Sequence, residues 1–161
     1  MATKEQMASA SEVHVKGMFR LQMVNKRTRK IEGDSGWSQN QVTTKGFNDM
    51  LAGCIVGQAN SAQASSAVLA TYSDAIVASR ISIPGTCVPA VAVTASTLAS
   101  TAQVTCSFDG ANLTTNTVTI GAIGLHSTSD VTQALLAGQT YTTSQFTTDQ
   151  DVNATYQIQF S

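Results

Sequence analysis

Gly33-Asp34-Ser35-Gly36 is the segment of this chain that most invites comparison with a nucleophile site. A serine nucleophile needs a base within hydrogen-bond reach and an acid that orients the base. The chain has two histidines, His14 and His126. His14 falls on the polar face of a period-two stretch, and His126 closes another such stretch just before Ser127-Thr128-Ser129-Asp130. The segment therefore reads as a glycine-punctuated turn, with Ser35 not catalytic. Asp149, Asp151 and Asn153 repeat the opening spacing of a calcium loop, but Ala154 stands where the loop needs glycine and Phe160 where it needs glutamate. A solvated acidic turn is expected there. Cys54, Cys87 and Cys106 form no Cys-x-x-Cys pair, which suggests neither a zinc site nor a redox motif. They read as small buried apolar residues of a protein made in a reducing cytosol. Gly121-Ala122-Ile123-Gly124 lacks the Lys-Ser/Thr that a phosphate loop requires. Asn112-Leu113-Thr114 and Asn153-Ala154-Thr155 match the glycosylation pattern, but the N-terminal residues have no apolar core of a signal peptide. The expectation is no catalytic, cofactor or metal site, and no enzyme.

Charge says more. Lys26-Arg27-Thr28-Arg29-Lys30 is a basic run, and Lys16 and Arg20 share the outer face of the strand before it. With Lys4, these are the candidate partner-binding residues: Lys4, Lys16, Arg20, Lys26, Arg27, Arg29 and Lys30. The sharper reading is docking onto an acidic protein surface; the plainer one is a solvated turn. Specific nucleic-acid binding is not expected, because the net charge is −1 and few aromatics stand nearby to stack on bases. Residues 1–45 hold eight of the nine bases and four acids, a net +4, while residues 46–161 sum to −5. Ile81 to Phe108 has no charge at all. Such a surface is poorly protected against association, so if it is exposed a partner or a second copy is expected to cover it, unless its Ser and Thr side chains are simply solvated.

The elements must fit a chain of 161 residues, about one domain. Charged residues are 12%, about half the usual share, against 42% hydrophobic, with 39 Ser and Thr and 21 Ala. That balance favours a folded core over disorder. No apolar run reaches the ~18 residues of a membrane span. Residues 1–11 are polar and aperiodic and read as a flexible arm that orders only on a partner; residues 12–161 read as one β-sandwich domain. Glu12 to Val24 alternates strictly: Val13, Val15, Phe19, Leu21 and Met23 on one face, His14, Lys16, Met18, Arg20 and Gln22 on the other. Glu32 to Gly36 reads as a loop. Thr43 to Val56 carries a helical stripe of Phe47, Met50, Leu51, Cys54 and Ile55, with Thr43 or Thr44 as cap and Gly57 as stop. From Ala67 the spacing predicts strands at Ala67–Tyr72, Ile76–Ile83, Val88–Ala95, Leu98–Phe108, Asn116–His126, Leu135–Thr143 and Val152–Phe160. Pro84 and Pro89 argue for edges or turns. Asp109-Gly110 is a turn signal. The apolar phase slips by one near Gly121-Ala122, which predicts a β-bulge. The expected fold is mainly β, an antiparallel β-sandwich of jelly-roll-like type with one short helix near 43–56 and an extended N-terminal arm.

Asn40-Gln41-Val42-Thr43-Thr44-Lys45-Gly46-Phe47-Asn48-Asp49-Met50-Leu51-Ala52-Gly53 resembles the N-x-V-T-x-x-G-x-x-x-L-A stretch of small structural proteins of tailed bacteriophages. Ile120-Gly121-Ala122-Ile123-Gly124-Leu125-His126, then Ala134-Leu135-Leu136-Ala137 and Asn153-Ala154-Thr155-Tyr156-Gln157-Ile158-Gln159-Phe160, resemble the close of the same proteins. The matching pieces cover about a third of the chain. The chain departs at His126, where an aromatic is common, and across its Ala/Ser-rich middle. The resemblance implies a virion component made in the host cytoplasm and carries over no catalytic residue. The expected function is a head decoration or cement protein that binds the major capsid protein or other virion proteins across subunit joints, as a homo-oligomer with a trimer preferred. The alternatives are a tail, adaptor or fibre-anchoring subunit, or a receptor- or glycan-binding module using Trp37, Tyr72 or Tyr141. No cofactor and no membrane partner is expected.

Overall fold

The structure is a computed structural model, and it describes residues 15–52, 63–98, 101–128, 132 and 134–160. The strands are β1 (Val15–Asn25), β2 (Ile31–Asp34), β3 (Ser38–Gln39), β4 (Gln41–Val42), β5 (Ser66–Ala70), β6 (Val91–Ala92), β7 (Thr94–Leu98), β8 (Thr101–Asp109), β9 (Thr117–His126), β10 (Leu135–Thr147) and β11 (Gln150–Phe160). The first sheet runs β2-β1-β11-β8-β7, with β3 also on β1, and the second runs β4-β10-β9-β5-β6. All pairings are antiparallel. The chain is mainly β, as the alternation predicts, a β-sandwich with one short α- or π-type helix among the described residues. The first and last strands lie side by side in both sheets, β1 beside β11 and β4 beside β10.

Alternation explains the first sheet. Phe19 and Leu21 of β1 and Val152, Ala154, Tyr156 and Ile158 of β11 are buried on its inner face. Phe19 sits opposite Tyr156, with ring centroids 4.6 Å apart. From the second sheet, Leu69, Ile123, Leu125, Leu136 and Phe146 meet them in one core. Each of these large side chains contributes roughly 1.5–3 kcal/mol by leaving water.

Part of the second sheet is buried on both faces. Ala67 to Ala70 and Ala122 to His126 are buried without alternation, and runs of that kind belong to strands covered on two sides. The outer cover is the segment after β5. Ile76 and Ile83 drop into a second, smaller core with Ala70, Ala122 and Leu135. Backbone bonds from Thr71 N to Gly85 O (2.9 Å) and from Cys87 N to Leu69 O (3.0 Å) hold the cover down. Gly121 is required beneath it, because a Cβ there would stand 2.5 Å from the Tyr72 carbonyl oxygen.

Several expectations change. Ile76–Ile83 is not a strand: Ile76 and Ile83 anchor the cover while Val77 and Ile81 face out. Pro84 and Pro89 lie in this irregular part, as turn formers should. Val88–Ala95 is not one strand but two, β6 and β7, in different sheets. Glu32–Gly36 is only partly loop, since β2 pairs with Gln22–Val24. Asp109-Gly110 is a turn as expected, a 3₁₀ turn over Gly110–Asn112 that carries the chain from one sheet to the other. The bulge is present opposite Gly121, but β10 carries the extra residues, Tyr141 to Thr143.

The helix, α1, spans Gly46–Ala52 and is wound in the wider π form. Residues 53–56 of the expected helix lie outside the described residues. Phe47 is 54% exposed, so the expected apolar stripe does not enter the core there. Thr43 does cap the helix: its Oγ1 accepts the Gly46 N–H (3.0 Å) and donates to the Leu135 carbonyl (2.5 Å). Thr43→Val is therefore expected to cost about 1–2 kcal/mol, through a lost cap and an unpaired buried carbonyl. Urea denaturation checks this; an unchanged midpoint would show that the hydroxyl contributes nothing.

Candidate functional site

Charge in this fold is sorted by place. At one end of the sandwich the turn after β1 meets the turn between β10 and β11. Lys26 Nζ ion-pairs with Asp109, lies 3.7 Å from Asp151, and donates to the Thr148 carbonyl (2.9 Å). Arg29 lies 3.9 Å from the same Asp151. Glu32 accepts from Asn25 (2.9 Å) and Gln150 (2.7 Å). Arg29 adopts a left-handed conformation, φ 58°, to close the basic turn. The Lys26–Lys30 run is thus a turn as expected, but much of its charge is answered within the chain.

Of the candidate partner-binding residues, Lys4 lies outside the described residues. Arg20 grips Asp34 with two hydrogen bonds, Nε to Oδ1 (3.0 Å) and Nη2 to Oδ2 (2.5 Å). Arg27, Lys30 and Lys16 are exposed. Lys16 stands at the start of β1, nearly the whole strand away from the basic turn that follows it, so the six described residues do not form one patch. The Arg20 guanidinium, the Gln22 amide and the Gly36 N–H hold the Asp34 carboxyl well below the usual carboxylate range. Asp109 is held down by the Lys26 hydrogen bond and the Ala111 N–H. The sign follows from linkage. A carboxyl whose pKa is lower folded than unfolded adds stability above its unfolded pKa, about 4. That stability is lost as pH falls through the lower folded value. Asp34→Asn is expected to flatten the acid limb of the stability curve below about pH 4 and to leave its neutral slope unchanged. Chemical denaturation across pH checks this; an acid limb identical to that of the unaltered chain would contradict it.

The outer face of the first sheet is a different surface. Its rows follow from the registers: Lys16, Gln159, Thr101 and Leu98; then Met18, Gln157, Gln103 and Ser96; then Arg20, Thr155, Thr105 and Thr94; then Gln22, Asn153 and Ser107. Across four strands this face offers amides and hydroxyls. The Gln157 amide donates to Gln103 Oε1 (2.9 Å). Arg20 is neutralised by Asp34, which leaves Lys16 as the uncompensated charge in these rows. The charge-free stretch Ile81–Phe108 supplies the far side of this face, and Thr94 to Thr97 are exposed. The sequence condition for a covered surface, exposure without charge, is met at β7.

Between the edges of the two sheets runs a groove of about 640 Å³, floored by Leu21, Met23, Ile120 and Tyr141 and rimmed by Glu32 and Asp34. Sequence reasoning missed it, since it forms where β2 and the β10 bulge come together. Of the candidate stacking aromatics, Tyr141 lines it and Trp37, 41% exposed, stands between its lining residues Ser35 and Ser38. Tyr72 is elsewhere, with the Arg80 guanidinium 4.8 Å from its ring. Burial pushes the Tyr141 hydroxyl well above its ordinary pKa, so it stays protonated.

Among the described residues no base reaches Ser35. Its hydroxyl accepts the Leu21 N–H (2.9 Å) and donates to the Gly36 carbonyl (2.8 Å), and His126 is buried in β9. His14 lies outside the described residues. Among the described residues no three His, Cys, Asp or Glu side chains are placed to hold a metal ion. Burial pushes the Cys106 thiol up to about 12 and raises that of Cys87; neither is a reactive thiolate at neutral pH. No helix among the described residues is long and apolar enough to cross a membrane. No protein-family model, no curated protein and no solved structure matches this chain.

Proposed function

We propose that the chain is a non-enzymatic structural protein of a tailed-phage virion, a head decoration or cement subunit that binds across capsid subunit joints. The observation that carries this reading is the outer face of the first sheet: four strands wide, rich in amides and hydroxyls, and nearly without charge. A docking partner loses little by covering such a face, because few ions must be stripped of water. Its amides and hydroxyls trade bonds with water for bonds with a partner. A subunit that binds only the assembled shell stabilises that state by mass action. The resemblance of residues 40–53 and of the chain's close to phage structural proteins supports the same setting. In this reading the partner is the major capsid protein or another virion protein, and the subunit is a homo-oligomer, a trimer by preference.

The test places charge at the centre of the face. Gln103→Lys with Gln157→Lys sets two like charges side by side on β8 and β11. Association with shells lacking the subunit, read by co-sedimentation, is expected to fall at least about tenfold. The melting temperature should hold within a few degrees, since both side chains are only half-buried. Undiminished association would overturn the docking face. A second reading, a glycan-binding module, is favoured by the groove beside Trp37 and Tyr141; it predicts that Trp37→Ala abolishes sugar binding and leaves shell association intact.

A further inference from the structure

We propose that β7 is an open strand edge that accepts residues 1–14 of a second copy of this chain as an added antiparallel strand. Strand edges in soluble proteins are protected by charge, proline, bulges or brevity. The β2 edge carries Glu32 and Asp34, and its register breaks beside β1 at Met23/Val24. The free edge of β10 is interrupted by the bulge at Tyr141–Thr143. β4 and β6 have two residues each. β7 has five residues, Thr-Ala-Ser-Thr-Leu, with no charge, no proline and an unbroken register on β8. Thr94 to Thr97 alternate between the two sheet faces, yet all four are exposed. Among the described residues, none covers either side of Thr94–Thr97, and the outer row of β7 N–H and C=O groups faces no strand.

The occupant is argued from where the chain enters the sheet. Lys16, Gln159, Thr101 and Leu98 lie in one row across β1, β11, β8 and β7. Residues 1–14 therefore join the first sheet at the end where β7 finishes. Fourteen extended residues span up to ~46 Å at about 3.3 Å each, while covering β7 takes only ~17 Å. Gln6 to Ser11 is six residues without charge, small and polar like β7 itself, so pairing them strands no ion.

Pairing within one copy is disfavoured by direction. The chain enters β1 at the end where β7 finishes, so a direct pairing of the preceding residues with β7 of the same copy would be parallel in a wholly antiparallel sheet. A second copy is under no such constraint. Because the strand leaves one copy and enters another through a different surface, the contact is head-to-tail, and three such contacts close a ring. The inference takes from the proposed function only that copies of the chain associate.

Sedimentation of the purified full chain at its highest soluble concentration, with no particles present, tests this. The full chain is expected to sediment as an oligomer. Removal of residues 1–11, the double change Ala8→Pro and Ala10→Pro, and the double change Ala95→Lys and Ser96→Lys should each give the monomer with an unchanged circular-dichroism melt. Amide exchange at Thr94–Leu98 should quicken at least about tenfold when residues 1–11 are removed. A monomeric full chain overturns the proposal. An oligomer that survives both the deletion and the proline pair also overturns it, as does β7 protection that depends on residues 1–11 in a monomer. Because no shell is present, a failure here leaves the shell-binding reading standing, and a failure of shell binding leaves this one standing.

Discussion

Phe108→Ala is expected to destabilise the fold by about 3–5 kcal/mol, the cost of deleting a buried aromatic side chain. Phe108 is fully buried near the end of β8, opposite Val152 of β11, in the core shared by both sheets. Just beyond it the chain leaves the first sheet through the 3₁₀ turn, so the cavity would open where the two sheets are tied together. Domains of this size hold about 5–15 kcal/mol in all. Much of the margin would be lost, and urea denaturation would show it as a sharply lowered midpoint with an unchanged slope. A change below about 1 kcal/mol would mean that the neighbouring side chains collapse into the space and that the core is less tightly fitted than its burial indicates.

Gly110→Ala carries the second large effect and acts on the backbone. The turn that starts at Gly110 packs directly against the turn between β10 and β11. A Cβ at this position would press into the carbonyl oxygens of Thr147 and Gln150, the latter at 2.5 Å. Both are main-chain atoms of the other crossover, so neither can swing aside as a side chain would. The expected loss is about 3 kcal/mol, at the upper end of overpacking costs, again read by urea denaturation. A loss near zero would mean that the two crossovers do not need their close approach.

How much of this was legible depends on the range of the interaction. β1 and β11 were, because each needs only its own alternation: Phe19 and Leu21, then Val152 to Ile158, face inward on strict period two. The bulge beside Gly121 was visible as a phase slip, although the extra residues belong to β10, which no local pattern in β9 can reveal. Ile76–Ile83 misled because two isoleucines at its ends suit a strand as well as a lid. Which one forms depends on whether the outer face of the second sheet needs covering, and that is fixed by β5, β9 and β10 together. Phe47 misled in the same way, since helical spacing states which residues share a stripe and not whether anything lies opposite. At the candidate site the charge-free stretch was legible, and its exposure on β7 gives it meaning. The neutralisation of the basic turn was not. Lys26 meets Asp109 across 83 positions of sequence, a meeting set by topology alone.

These particulars bear on function together. Lys26 and Arg29 meet acids at one end of the sandwich, and the broad face of the first sheet is left nearly neutral and open. In a lone subunit in solution that face and the bare β7 edge are a liability, because they invite non-specific association. In the proposed function they are the surfaces that meet partners.

The most direct measurement of the docking account is the copy number of this chain in purified virions, by quantitative mass spectrometry against the major capsid protein. The account predicts copies in a fixed proportion to the capsid protein and comparable with it in number, as binding at repeated joints requires. A few copies per particle, or none, would contradict it.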